Sequence, residues 1–373
     1  MPETPKTVKS SLLSEEAFYF WEIELSRVKA TKTKVERITL GDFGSYLGTG
    51  RGCLVVRDKE GKEKKYPLSE KRISEIRVSS GNTISAGALA SLGFWGIDCL
   101  ILTRWGNPIA RVTSLLESDS HVETRISQYE SLKNGKGLTV AKEIVLAKAR
   151  GYNEVLRKYG LRSLDYCTLA ESVKGLEGDL DAVRNRLMSI EGKFSHQYFN
   201  QMFGVFKESL RPKSRKTYKA YDKINNVLNL AYSVLFWKLQ LAVHMAKLEP
   251  FLGFLHTLQW GMPSLILDLQ DCYRFIADDF VIQYARKVKD KDFILSMDNY
   301  AGRKTKREFL NSVKRKEFLD SFDALFDTVV EIPRVRRGRK QQIETLIGEE
   351  VLLLAQYLRD EKPTWKPRIA ELS

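Results

Sequence analysis

Cysteine is scarce in this chain of 373 residues. Cys53, Cys99, Cys167 and Cys272 lie far apart with no CxxC pair, which argues against a disulfide framework and a thiolate zinc site and fits a reducing compartment. Histidine is as sparse, with only His121, His196, His244 and His256, and neither HExxH nor GxSxG occurs. Only 10 prolines and 24 glycines, beside 43% apolar and 29% charged residues, exclude disordered, collagenous and coiled-coil classes and leave a globular chain, for which two domains is the natural expectation. Long hydrophobic runs are few. The opening MPETPKTVKS has no apolar core for a secretory signal, so a cytoplasmic location is expected. Thr83 to Thr103 is long enough to cross a bilayer, but it holds Asp98 and three internal glycines and turns from helix-like to strand-like at Gly96-Ile97. Asn229 to Met245, interrupted by Lys238, Gln240 and His244, reads as a buried helix.

Acidic residues are in deficit: 61 Lys and Arg against 47 Asp and Glu give +14, which favours a polyanionic partner. The excess is clustered. Lys207 to Lys223 holds seven basic and two acidic residues, +5, and Arg286 to Lys340 holds sixteen and nine, +7. Any one basic run is more often a solvated helix face. Within RPKSRKTYKAYDK, however, the bases alternate with Tyr218 and Tyr221, a mixture suited to a nucleic-acid backbone. PRVRRGRK, Pro333 to Lys340, is a second such arm.

Residues 1 to about 35 form an N-terminal extension whose role is not legible. From Ile38 to Val112 short alternating runs separated by Gly-containing turns, such as Asp58 to Gly61, suggest hairpins, followed by a short Ala-rich helix and the strand IDCLILT. The glycine-rich GTGRGC, Gly48 to Cys53, lacks the Lys-Ser/Thr of a phosphate loop and reads as a hairpin turn. Beyond Asn107-Pro108 strand signals almost vanish, and helices are expected at Ser127–Lys133, Thr139–Lys158, Leu180–Phe206, Ala220–Leu248, Ser264–Val288, Arg307–Asp327 and Arg339–Arg359. The expected fold is therefore α+β in two domains: a mainly β domain over 36–113 and an all-α domain over 114–373.

Two helices draw attention for their carboxylates. In LDAVRNRLMSIEGKFSHQYF, Leu187, Met188 and Phe194 lie four and three residues from Glu191, which sets it on a largely apolar face. A carboxylate there needs a cation, either a buried Arg or Lys or a metal. In EPFLGFLHTLQWGMPSLILDLQDCYRF, His256 precedes a Gly- and Pro-containing loop, and Asp268 and Asp271 follow at i and i+3 of the next helix. An isolated His is more often a core residue and such an Asp pair is usually solvated. Leu265-Ile266-Leu267 before Asp268 makes burial plausible here, and one imidazole with carboxylates and no thiolate suits Mg²⁺ or Mn²⁺ on phosphoryl oxygens.

Five blocks in order then carry a resemblance: GNTISAGALASLGFWGIDCLILTRWGNP; Glu191-Gly192 with Tyr198; Asp222, Asn225, Leu228 and Tyr232; GFLH at Gly253 to His256; and SLILDLQD ending at Asp271. In these the chain resembles the CRISPR-associated integrases, the first of the Cas proteins and the catalytic subunit of spacer acquisition, over residues 38 to 360. The departures are Cys272, where Pro is frequent, and Phe194-Ser195, where small residues are common. The resemblance implies a metal held by Glu191, His256 and Asp271, with Asp268 as an assisting or alternative carboxylate. It also implies that Arg211, Lys213, Arg215, Lys216 and Lys219, and separately Arg334, Arg336, Arg337 and Arg339, hold double-stranded DNA of the spacer precursor and the CRISPR repeat. A homodimer through the β domain and a second Cas protein as partner are implied too. The implied reaction is attack of a DNA 3′ hydroxyl on a repeat phosphodiester, with nicking as its hydrolytic counterpart and no protein nucleophile or nucleotide cofactor. Two alternatives stay open: a related transposase of mobile elements, and a non-catalytic nucleic-acid-binding scaffold.

Overall fold

The computed structural model describes residues 36–41, 43–68, 73–103, 108–112, 122–217, 220–257, 259–300, 303–331 and 340–372. They fall into two compact units, one within Met1–Glu117 and one within Ser118–Ser373.

The first unit holds two four-stranded sheets. In one, β2 (Tyr46–Gly50), β3 (Cys53–Arg57) and β4 (Glu63–Pro67) form a meander that β6 (Thr83–Ile84) extends in parallel. GTGRGC is its first turn. Gly50 pairs with Cys53, leaving Arg51 and Gly52 as a two-residue loop with φ of 49° and 76°, the left-handed backbone that such hairpins require. Asp58 builds the second turn, its Oδ1 accepting from the amides of Glu60 and Lys62 at 3.0 and 2.9 Å. The other sheet is not made of hairpins throughout: β1 (Glu36–Leu40), β5 (Ile73–Ser79) and β7 (Asp98–Leu102) run parallel, and only β8 (Pro108–Val112) is antiparallel. The meander and then α1 (Ala86–Phe94) supply the crossovers that parallel pairing needs. The apolar stretch from Thr83 is thus β6, α1 and β7 in succession, α1 being capped by Ser85. Among the described residues no helix is long and apolar enough to cross a membrane.

The second unit is built on helices α2 (Val122–Ser131), α3 (Lys136–Lys158), α4 (Tyr166–Lys174), α5 (Leu180–Met202), α6 (Lys223–Met245), α7 (Ser264–Ala285), α8 (Ser312–Phe326) and α9 (Ile343–Leu358). α7 packs against α3 and α6, and α3 also packs against α5. Eighteen of the twenty-two residues of α7 are buried, so every acid on it has to find a partner inside the protein. Gly151 lets α3 come close, for a Cβ there would stand 2.6 Å from the Phe275 ring.

The β-rich unit followed by a helical one is the expected class, but the second unit is not wholly helical. An antiparallel hairpin, β9 (Phe293–Tyr300) with β10 (Arg303–Leu310), and the short pair β11 (Val329–Glu331) with β12 (Lys340–Gln342) interrupt it. β10 takes Arg307 to Leu310 from one expected helix, and β12 takes Lys340–Gln342 from another whose first residue, Arg339, lies outside the described residues. Asn311 accepts from Lys314 N and opens α8 only after the hairpin ends. RKTKREFL carries no apolar alternation and Lys and Arg serve either structure, so its last four residues read as the start of the next helix.

Candidate metal and DNA site

The Glu191 and Asp271 side chains meet over a lysine. Glu191 lies in mid-α5, Asp271 in the second turn of α7, and Lys148 in mid-α3, whose neighbours Val145, Leu146, Ala147 and Ala149 are all buried. Lys148 Nζ contacts Glu191 Oε1 and lies 3.1 Å from Asp271 Oδ2. Ser195, one turn beyond Glu191, donates its hydroxyl to the same Oε1. Arg274 Nε lies 3.0 Å from Asp271 Oδ1, yet that buried oxygen accepts no hydrogen bond, because the N–H is not aimed at it. Burial pushes the Asp271 carboxyl up, but the charges of Arg274, Lys148 and His256 outweigh it and hold it below the ordinary aspartate range. Met188, expected beside Glu191 on an apolar face, is 41% exposed, whereas the Glu191 side chain is 18% exposed and turns in to Lys148.

Asp268 does different work. Its carboxylate is fully buried and accepts four hydrogen bonds: from Phe254 N at 2.5 Å and Leu255 N at 3.0 Å on Oδ2, and from His256 N at 2.9 Å and His256 Nδ1 at 2.7 Å on Oδ1. With four donors on its two oxygens, Asp268 has no lone pair left for a further partner. It fixes the loop from Gly253 to His256 on α7 and, by accepting the Nδ1 hydrogen, leaves Nε2 as the outer nitrogen of the imidazole. Gly253 permits this approach: a Cβ would stand 2.7 Å from Ser264 Cβ and 2.9 Å from Asp268 Oδ2. Burial disfavours a charged His256, but the Asp268 hydrogen bond and the charges of Asp271 and Asp268 outweigh it, and its pKa is raised.

Beneath the acids lies a polar network that the sequence did not announce. Asp278, two turns along α7, accepts from Tyr198 Oη at 2.9 Å and Tyr232 Oη at 2.5 Å. Its burial pushes its carboxyl up to about 6, against the pull of both phenols and of Arg215 and Arg274. Both guanidiniums lie 5.1 Å from the Tyr232 ring centroid. Tyr198 and Tyr232, which carried the resemblance only as matched letters, therefore hold the acid one face below the site.

The basic stretch divides by role. Arg215 donates to Asn225 Oδ1 at 2.9 Å, Asn229 Oδ1 at 2.7 Å and Lys216 O at 2.6 Å, and Asp222 caps α6 through Asn225 N. Arg211 reaches the carbonyls of Gly204 and Phe206, each at 3.3 Å. These two arginines shape the loop, whereas Lys213, Lys216 and Tyr221 are exposed. Lys219 and Tyr218, and Arg334, Arg336, Arg337 and Arg339, lie outside the described residues, as do His121 and residues 1–35.

Of the residues singled out from sequence, the fold thus brings Glu191 and Asp271 onto one lysine and His256 onto Asp268. Among the described residues no three His, Cys, Asp or Glu side chains already converge as a metal-ready group. The donor set nevertheless suits a hard divalent cation: two carboxylates that already seek a cation, a buried carboxylate oxygen without a donor, and an imidazole held from behind. Lys148, Ser195 and Arg274 went unrecognised as individuals. Lys148, directly after the apolar run Ile144 to Ala147 of α3, offered the one signal.

The profile of the family described as CRISPR associated protein Cas1 matches residues 38–324. The CRISPR-associated endonuclease Cas1 of Korarchaeum cryptofilum is 26% identical over 356 residues, covering 90% of this chain and 98% of its own. Among solved structures, a casposase bound to an integration product has a TM-score of 0.76 at 20% identity, covering 91% of this chain and 95% of that one. A chain of a Cas6-RT-Cas1–Cas2 complex has 0.71 at 18%, covering 91% of this chain and 37% of the other. These two establish the fold. With the profile spanning both units and the five motif blocks in order along the chain, the chain belongs to the Cas1 family of CRISPR-associated proteins.

Proposed function

We propose that this chain is the DNA integrase and endonuclease of CRISPR adaptation, joining a free 3′ hydroxyl of spacer DNA to a phosphodiester of the repeat. The observation that carries the reading is the buried meeting of Glu191 and Asp271 beside an imidazole braced by Asp268, in a chain of this family. Glu191, Asp271 and His256 Nε2 would hold Mg²⁺ or Mn²⁺, which supplies charge neutralisation at the phosphate and activation of the attacking hydroxyl. The chain's own part is positioning. Asp268 holds the Nδ1 hydrogen and so keeps the ring aimed with Nε2 outward, Ser195 orients Glu191, and Arg274 keeps Asp271 ionised. The same site with water as nucleophile nicks DNA.

Lys213, Lys216 and Tyr221 provide backbone contacts on the loop that Arg215 braces, and such contacts position DNA without reading it. A homodimer of the β-rich unit, assembled with a second Cas protein in the cytoplasm, would present two such sites to the two ends of a repeat. The test is strand transfer by Glu191→Gln, which keeps an acceptor for Lys148 and Ser195 and so preserves the fold. Loss of joining with DNA binding retained is the expected result, and undiminished joining would refute the metal reading. A mobile-element transposase would share fold and site. Joining that ignores the repeat and needs no second Cas protein would favour it.

A further inference from the structure

The two acids of the site already have a cation, and the chain supplies it. The Lys148 side chain is 6% exposed, touches Glu191 and stands 3.1 Å from Asp271 Oδ2. A divalent ion bound by the same two carboxylates would need the place that this ammonium holds, and two positive centres cannot share it. We propose that Lys148 is an internal counter-ion that competes with the divalent ion for Glu191 and Asp271, holding the empty site together and withdrawing when the ion binds. This rests on the metal reading above.

Lysine suits the part and arginine would not. An ammonium on a flexible four-carbon stem is a point charge that swings, whereas a guanidinium is a planar fork held by its geometry. The second cation of the site, Arg274, has that fixed character and lies at the other oxygen of Asp271, Oδ1, with its guanidinium over the Tyr232 ring. Lys148 also has a second partner already in contact: its Nζ stands 5.8 Å from the centroid of Tyr152, one turn along α3, a cation–π contact that can hold the ammonium once its ties to the two acids are given up. Tyr152 is itself locked by stacking on Tyr198 at 3.7 Å between centroids. Without Lys148 the empty site would bury two carboxylates with Arg274 as their one strong counter-charge. Its presence therefore stabilises the metal-free protein and weakens apparent metal affinity, since only the fraction of molecules with the lysine withdrawn is competent to bind.

The test needs no DNA. Mn²⁺ binding to the full chain is measured by calorimetry and by the resonance of the free ion for wild type, Lys148→Met and Lys148→Arg, with thermal melting in EDTA and in Mn²⁺ alongside. Lys148→Met is expected to bind Mn²⁺ about tenfold or more tighter than wild type, to melt several degrees lower in EDTA, and to gain more on adding the ion. Lys148→Arg is expected to keep the melting point in EDTA and to bind Mn²⁺ no better than wild type. Equal or weaker binding by Lys148→Met overturns the proposal, as does a failure of that variant to fold even in Mn²⁺, which would make the lysine purely structural. Wild type that binds no Mn²⁺ at all would overturn the metal reading with it.

Discussion

Asp268 shows how one side chain can determine where another acts. Its four accepted hydrogen bonds tie three successive backbone amides and an imidazole to α7, and Gly253 leaves the room for it. Asp268→Asn turns half of that acceptor into a donor facing amide hydrogens and is expected to lower stability by about 2–3 kcal/mol, read in denaturant melts, while also abolishing joining. Gly253→Ala is expected to push the loop off α7 and to cost activity more than stability, since the clash is local. The i, i+3 spacing put two acids on one helix face, but burial differs in kind at each position: Asp268 is surrounded by amides and Asp271 by cations. Which partner a buried acid finds depends on elements far away in the chain, and no local spacing encodes it.

At the scale of elements, α7 is the organiser. It carries Asp268, Asp271, Arg274 and Asp278 within a helix buried almost all round, so each polar residue is a commitment to a neighbouring helix. Asp278 has a raised pKa, and the sign follows: its contribution to stability is full below about pH 3.9, its unfolded value, and is lost as pH rises through about 6. Wild type and Asp278→Asn should therefore be equally stable near pH 4, and the variant should be ahead by on the order of 2–3 kcal/mol at pH 7. Equal stability at both pH values would show that the phenols fully compensate the buried charge. The long helices of this unit were legible because 3.6-residue periodicity runs through them. The hairpin from Phe293 to Leu310 was not, because FILSMDNY opens on an unbroken apolar run that fits helix or strand alike, and RKTKREFL is charged with no apolar alternation.

Across the whole molecule the charge excess has a purpose only where it is free to meet a partner. Arg215 is absorbed by Asn225 and Asn229, so Arg215→Ala should disorder the loop and lower the melting temperature as well as DNA affinity. Lys213→Ala with Lys216→Ala should leave the fold intact, weaken binding alike for all DNA sequences, and reduce the slope of log affinity against log salt by about 2. A variant pair with unchanged slope would remove this loop from the DNA path. The two-unit order, β-rich and then helical, could be read from the switch in periodicity near Pro108, whereas the parallel pairing of β1, β5 and β7 could not, since parallel partners are separated by whole crossovers. The central claim is that Glu191, Asp271 and a braced His256 make one metal-dependent site for phosphodiester joining. It is tested most directly by strand transfer of a labelled duplex with free 3′ ends into a supercoiled CRISPR-repeat plasmid, with the second Cas protein present, in Mg²⁺, Mn²⁺ or EDTA. The account predicts joining by wild type in either metal, none in EDTA, and none by His256→Ala under any condition. Joining that persists in EDTA or in His256→Ala would contradict it, and wild type that binds DNA without joining or nicking it would leave a scaffold in place of an enzyme.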